Sequence, residues 1–161
     1  MNTTAKKNDS YFFIRLLLPV AIVLFSGCAS VPEIKPAAQR ESPIAAYALS
    51  LQGVPYHYGK DSPEEGFDCS GFVKHVYLKQ GIALPRTVKA MALSLPQISK
   101  NDVASGDLVF FNTNGKSFSH VGIYVNDDRF VHAPSRRTGR VLVSSLKNQY
   151  WQKHYSGARR P

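Results

Sequence analysis

Three side chains have types and spacing suited to breaking an amide. They are Cys69 in Phe67-Asp68-Cys69-Ser70-Gly71-Phe72, His120 in Ser119-His120-Val121-Gly122-Ile123-Tyr124 and His132 in Phe130-Val131-His132-Ala133. A thiolate is a nucleophile; it needs an imidazole to take the thiol proton and a further group to hold that imidazole's tautomer. Cys69 falls where a helix should begin. There the unsatisfied first-turn N–H groups and the positive end of the helix dipole favour thiolate, and the same N–H groups can receive the oxyanion of an attacked carbonyl. Asp68 reads as the N-cap, and its charge opposes thiolate formation slightly. Taken singly, a cysteine is more often a small apolar core residue, and a strand histidine a satisfied surface or core group. The three in this order carry a hypothesis of cysteine hydrolysis.

Such chemistry requires a helix start and paired strands. Ser42-Pro43 supplies an N-cap and a proline at the first helical position, and Ile44, Tyr47, Ala48 and Leu51 repeat at helical spacing until Gly53. A second helix is expected from Asp68 or Cys69, with Phe72, Val73, Val76 and Tyr77 as its apolar face and Gly81 as its stop. A third, short one follows Arg86-Thr87 before Pro96. Then the period changes. Residues 108–111 form a continuous apolar run suited to a strand buried on both faces, and residues 120–125, 129–133, 140–144 and 152–158 extend a series of strands. A two-residue period puts His120, Gly122 and Tyr124 on one side, and Phe130 with His132 on one side. A hairpin turning at residues 126–128 pairs residues whose numbers sum to 253–255, which sets His120 opposite residues 133–135 and makes the two histidines cross-strand neighbours. Helices first and an antiparallel sheet afterwards indicate an α+β fold.

The 161 residues are 43% hydrophobic and 19% charged, which fits one compact domain plus appendages and excludes wholesale disorder. Two cysteines exclude a disulfide scaffold, and no paired Cys/His spacing suggests a structural zinc site. Cys28 closes an N-terminal segment in which Lys6, Lys7 and Arg15 precede an apolar stretch at residues 16–25, followed by Ser26-Gly27-Cys28-Ala29. The stretch is too short and interrupted to span a bilayer and reads as a secretory signal. Ser26-Gly27-Cys28 resembles the bacterial lipobox, in which the cysteine is acylated (with palmitate among its chains) and becomes the mature N-terminus; Phe25 departs from the usual leucine. By the same resemblance Ala29 favours the outer membrane, facing the periplasm. The expected organisation is a signal peptide at residues 1–27, a lipidated N-terminus and tether at 28–41, and the catalytic domain at 42–161. Of 20 basic and 11 acidic side chains, Lys6, Lys7, Arg15 and Asp9 lie in residues 1–28, which leaves 17 and 10 and a net charge of +7. A cationic surface suits polyanions, and export removes nucleic acid from the candidates. If Cys28 takes lipid, Cys69 is the one remaining thiol and has no intramolecular partner to oxidise it.

The chain resembles the NlpC-type papain-like cysteine peptidases of bacterial cell walls over about residues 42–158. The carriers are Gly53-Val54-Pro55-Tyr56-His57-Tyr58-Gly59, the segments around Cys69, His120 and His132, Leu84-Pro85-Arg86, and Gly106-Asp107-Leu108-Val109-Phe110-Phe111. Tyr150-Trp151-Gln152-Lys153 and Ala158-Arg159-Arg160 match lipoprotein members. The resemblance implies N-terminal helices packed on a central antiparallel sheet, with Cys69 as nucleophile, His120 as general base and His132 orienting it. Tyr56 matches a tyrosine whose hydroxyl assists the oxyanion or holds substrate. It further implies hydrolysis of an amide in the peptide stems of peptidoglycan, without metal or cofactor, at D-glutamyl-diaminopimelyl bonds or at D-alanyl-diaminopimelyl cross-links. Gly59-Lys60 replaces the family's usual Gly-Gly, a departure that bears on specificity. Arg86, Arg136, Arg137 and Arg140 are candidates to read stem carboxylates. The expected partners are peptidoglycan stems and, through the acylated N-terminus, the lipid bilayer; no protein partner is legible. The alternatives are a non-catalytic, lipid-anchored peptidoglycan-binding module of the same fold and a thiol acyltransferase, although permuted relatives of the latter sort place histidine before cysteine.

Overall fold

The structure, a computed structural model, describes Met1 and residues 41–161. The signal peptide, the Cys28 lipidation site and nearly all of the tether lie outside the described residues. Helix α1 spans Pro43–Ser50; Ser42 caps it by accepting the Ala45 N–H at 3.1 Å, and Ala45 and Ala48 are fully buried. Two-residue strands β1 (Asp61–Ser62) and β2 (Gly66–Phe67) form a small hairpin immediately ahead of helix α2 (Cys69–Leu78). Phe72, Val73, Val76 and Tyr77 of α2 are buried, as their helical period predicts. Gly81, at φ +79°, turns the chain away while the Ile82 N–H donates back to Tyr77 O at 3.0 Å. Helix α3 spans Val88–Ser94 and is capped by Thr87.

The main sheet is built from β3 (Gln97–Ile98), β4 (Leu108–Phe111), β5 (His120–Tyr124), β6 (Arg129–His132), β7 (Leu142–Ser145) and β8 (Tyr155–Arg159), antiparallel throughout in the order β3-β8-β4-β5-β6-β7. Two expectations need correction here. The strand expected at 140–144 runs two residues later at its start. The strand expected at 152–158 is divided: helix α4 covers Gln149–His154, and pairing begins only at Tyr155. Asn148 accounts for the helix, since its Oδ1 accepts the Tyr150 N–H at 2.9 Å and so caps a new turn. The helix lies between β7 and β8, so the order of elements is not simply helices and then sheet. Strand β3 is too short to leave a period in the sequence and exists through its pairing with β8.

Each face of the sheet carries its own apolar cluster. On one face Leu108, Phe110, Val121, Ile123 and Val131 pack against α1, α2 and α3. On the other, Val109, Phe111, Phe130 and Ala158 pack with Leu146, Trp151 and Tyr155. Strand β4 feeds both, which is why its four residues are all fully buried and why its sequence is an unbroken apolar run. Burial of Phe110 and Phe111 contributes about 2–3 kcal/mol each. This α+β arrangement of helices on a central antiparallel sheet is the expected papain-like one.

Candidate active site

The first turn of α2 is built around a carboxylate. Asp68 is 7% exposed; its Oδ1 accepts the Gly71 N–H at 2.7 Å and its Oδ2 accepts the Gly59 N–H at 2.9 Å. Arg86 then grips both oxygens, Nη1 donating to Oδ1 at 3.0 Å and Nη2 to Oδ2 at 2.7 Å, while Nη1 also donates to Ser70 Oγ at 2.9 Å. Asp68 therefore does more than cap. It ties the helix start, the loop at Gly59 and the segment before α3 into one unit. Gly71 lets that loop approach, because a Cβ there would stand 2.1 Å from Lys60 O.

Cys69 is the first residue of α2 and stays partly exposed. Surrounding protein atoms desolvate the sulfur and push the thiol up to about 11, and the Asp68 charge adds to that rise. Hydrogen bonds from the amides of Ser70, Val121 and Cys69 itself pull the other way. The helix start thus acts as expected, but burial outweighs it. Burial therefore opposes the thiolate that the helix terminus favours. Contact with the Val121 amide also sets the sulfur beside the residue that follows His120.

The histidines lie on the second face of the sheet. Strands β5 and β6 pair Ile123 with Val131 and Tyr124 with Phe130, within the register window expected from the turn. Extended by one residue, this register sets His132 opposite Gly122 and diagonal to His120. His120 Nε2 lies 2.7 Å from His132 Nδ1. Gly122 makes room for the pair: a Cβ there would meet Phe130 Cδ2 at 2.6 Å and His132 Cβ at 3.2 Å. Aromatic rings enclose both imidazoles. Trp151 stacks on His120 with centroids 5.6 Å apart and meets His132 edge-on at 4.9 Å, with Phe111 and Phe130 beside them. Burial pushes His120 down to about 4 and holds His132 well below the ordinary imidazole range, the neighbouring His120 contributing second. Both rings are neutral at pH 7. On the far side, His132 Nε2 lies 2.9 Å from Ser144 Oγ.

Cys69, His120 and Tyr56 line one cavity of about 690 Å³, together with Asp68 and Arg86. Tyr56 is held by its N–H to Gly139 O at 2.8 Å, and the Phe67 N–H donates to Pro55 O at 2.9 Å. Its phenol is raised above the ordinary tyrosine value by burial first, then by the Cys69 and Asp68 charges. His132 lies behind His120 and borders a second cavity of about 620 Å³ with Ser144, Trp151 and Arg137. Among the arginines, Arg86 has its guanidinium engaged by Asp68, and Arg136, Arg137 and Arg140 are exposed on the β6–β7 loop. Sequence reasoning gave no role in the site to Gly122, Trp151, Ser144 or the Arg86–Asp68 pair. Gly122 and Ser144 carry a signal in their strand parity; Trp151 and Arg86 come from segments whose approach no local period encodes.

The NlpC/P60 family matches residues 53–160. Over 128 residues the chain is 41% identical to the murein DD-endopeptidase MepH of Escherichia coli K12, covering 76% of this chain and 46% of that protein. Over 152 residues it is 38% identical to the probable endopeptidase NlpC of the same organism, covering 89% and 97%. It thus spans less than half the length of the first relative and nearly all of the second. A crystal structure of a lipoprotein-like NLP/P60 family protein from Staphylococcus aureus superposes with a TM-score of 0.65 at 36% identity, over 78% of this chain and 44% of that one. The match runs from the Tyr56 segment through the cysteine and both histidines to β8: the chain belongs to the NlpC/P60 family.

Proposed function

We propose that this chain is a cell-envelope cysteine peptidase that hydrolyses an amide in peptidoglycan stem peptides or their cross-links. The observation that carries the reading is the shared cavity of Cys69 and His120, with His120 Nε2 2.7 Å from His132 Nδ1. One nitrogen of His120 is engaged by His132, so Nδ1 is left for the thiol proton. Cys69 Sγ attacks the scissile carbonyl carbon as its proton passes to His120 Nδ1. The carbonyl oxygen becomes an oxyanion received by the Cys69 N–H and the Tyr56 hydroxyl. Collapse breaks the C–N bond, and His120 gives its proton to the leaving amine. Water then attacks the thioester with His120 as base, releasing the acid and restoring the thiol. Burial disfavours the charged form of both thiol and imidazole, which favours a proton that moves with the attack and not before it.

The names of the relatives support this substrate class: MepH is a murein DD-endopeptidase, and CwlT of Bacillus subtilis, 43% identical over 109 residues, is a bifunctional muramidase/DL-endopeptidase. Cys28 is the acylation site, anchoring residues 42–161 to the outer membrane on its periplasmic side. Retention of Cys69, His120 and His132 favours turnover over a purely binding role. The test is to incubate residues 29–161 and a Cys69→Ala variant with purified peptidoglycan and map the released fragments by mass spectrometry. The wild type should release stem fragments whose new termini identify the bond, and the variant none. Equal release from both proteins would contradict the reading.

A further inference from the structure

The hydrogen-bonded pair continues one residue further. Ser144 pairs with Phe130 across β6 and β7, on the face that carries both histidines, and its Oγ lies 2.9 Å from His132 Nε2. A neutral imidazole protonates one nitrogen and accepts at the other. His120 Nε2 meets His132 Nδ1, so His120 can take a thiol proton only at Nδ1, and only if Nδ1 is bare. His120 must then carry its proton on Nε2 and donate it to His132 Nδ1. His132 in turn must carry its proton on Nε2 and donate to Ser144 Oγ. The opposite order, in which the Ser144 hydroxyl donates to His132 Nε2, ends with a proton on His120 Nδ1 and leaves no base facing the thiol.

We propose that Ser144 is a positioning residue that sets the proton order of the two histidines by accepting from His132 Nε2. The same order is needed during turnover: when His120 gains its second proton, Nε2–H still donates to His132 and His132 still donates to Ser144. Ser144 is half-buried at the edge of the second cavity, so its own O–H can donate outward while its oxygen accepts inward. An alanine would leave a buried N–H of His132 without its acceptor.

This inference rests on the peptidase reading, and the test keeps the two apart. In protein spanning residues 29–161, which contains the whole described core, side-chain ¹⁵N NMR at pH 7.5 should show both His120 and His132 as Nε2–H tautomers without any substrate present. Ser144→Ala should bring in the Nδ1–H tautomer of His132 and lower kcat on a soluble stem peptide about tenfold, with KM within about twofold. Ser144→Thr, which keeps the hydroxyl, should preserve both the tautomers and kcat. Wild-type tautomers in Ser144→Ala would overturn the proposal, as would a loss of kcat that Ser144→Thr shares with its tautomers unchanged. Failure of the wild type to release fragments would count against the peptidase reading and leave the tautomer result to stand or fall by itself.

Discussion

Cys69 sits at the end of a helix among charge and amides, whereas His120 and His132 sit within a ring of aromatic carbon. The helix end is ordered by polar contacts: Asp68 takes two backbone N–H groups and a bidentate arginine, and Cys69 as a residue is half-buried beside them. The histidine face is ordered by packing, with His120 3% and His132 0% exposed against Trp151, Phe111 and Phe130. Burial nonetheless drives both regions to the same electrical state, since it raises a thiol and lowers an imidazole. On the proposed mechanism, nucleophile and base share a cavity in which burial disfavours the charged form of each. The proposed reaction would itself supply the charge separation, for the first-turn N–H groups and the histidine chain to stabilise.

Acid should act most strongly on the histidine face. Both histidines have folded-state values below the ordinary value of about 6.5, so between that pH and about 4 the unfolded chain binds protons that the folded chain does not. Stability present above pH 6.5 should fall as the pH drops through this window, on the order of 3 kcal/mol from His120 alone. His75 is lowered as well and acts in the same direction. Urea midpoints measured from pH 7.5 to 4.5 check this; a flat series would mean that the histidine face is wetter than its packing implies.

A second break is steric. Gly122→Ala should lower stability by about 2 kcal/mol and reduce turnover, because the new methyl meets Val131 O at 3.1 Å as well as the Phe130 ring, and the first of these is backbone. An unchanged urea midpoint would contradict the close approach. The helix end should yield less. Arg86→Ala removes the bidentate partner of Asp68, but its side chain is 35% exposed, so the expected loss is about 1 kcal/mol, read as a smaller shift of the same midpoint. A loss larger than that of Gly122→Ala would reverse the ranking of the two regions.

The same contrast explains what was legible in the sequence. The helix starts were readable because caps are local: Ser42, Asp68 and Thr87 each stand at an observed N-cap. The β5–β6 hairpin was readable for a similar reason, its register following from the turn at residues 126–128 and the two-residue period. Helix α4 escaped although its Asn148 cap is local, because the residues after it also suit a strand; the rest of what escaped depends on segments far apart in the chain. Strand β8 pairs with β4 across 44 to 51 residues of chain, from Phe111 with Tyr155 to Leu108 with Arg159, and α4 brings Trp151 over histidines 19 and 31 residues earlier. The β6–β7 loop is nine residues long, so no turn type transmits the register that brings Ser144 to His132. For the thiol, the helix terminus was legible and its desolvation was not, because the helix start is written locally whereas burial depends on tertiary packing, of which the Val121 amide from β5 is one part.

If Cys69 is the attacking group, chemical modification of this one thiol in residues 29–161 should abolish hydrolysis in proportion. Stepwise alkylation with iodoacetamide, with thiol loss read by mass spectrometry, can be plotted against release of peptidoglycan fragments by the same samples. The residual rate should equal the unmodified fraction at every step and vanish when Cys69 is fully alkylated; fragment release persisting from fully alkylated protein would contradict the account.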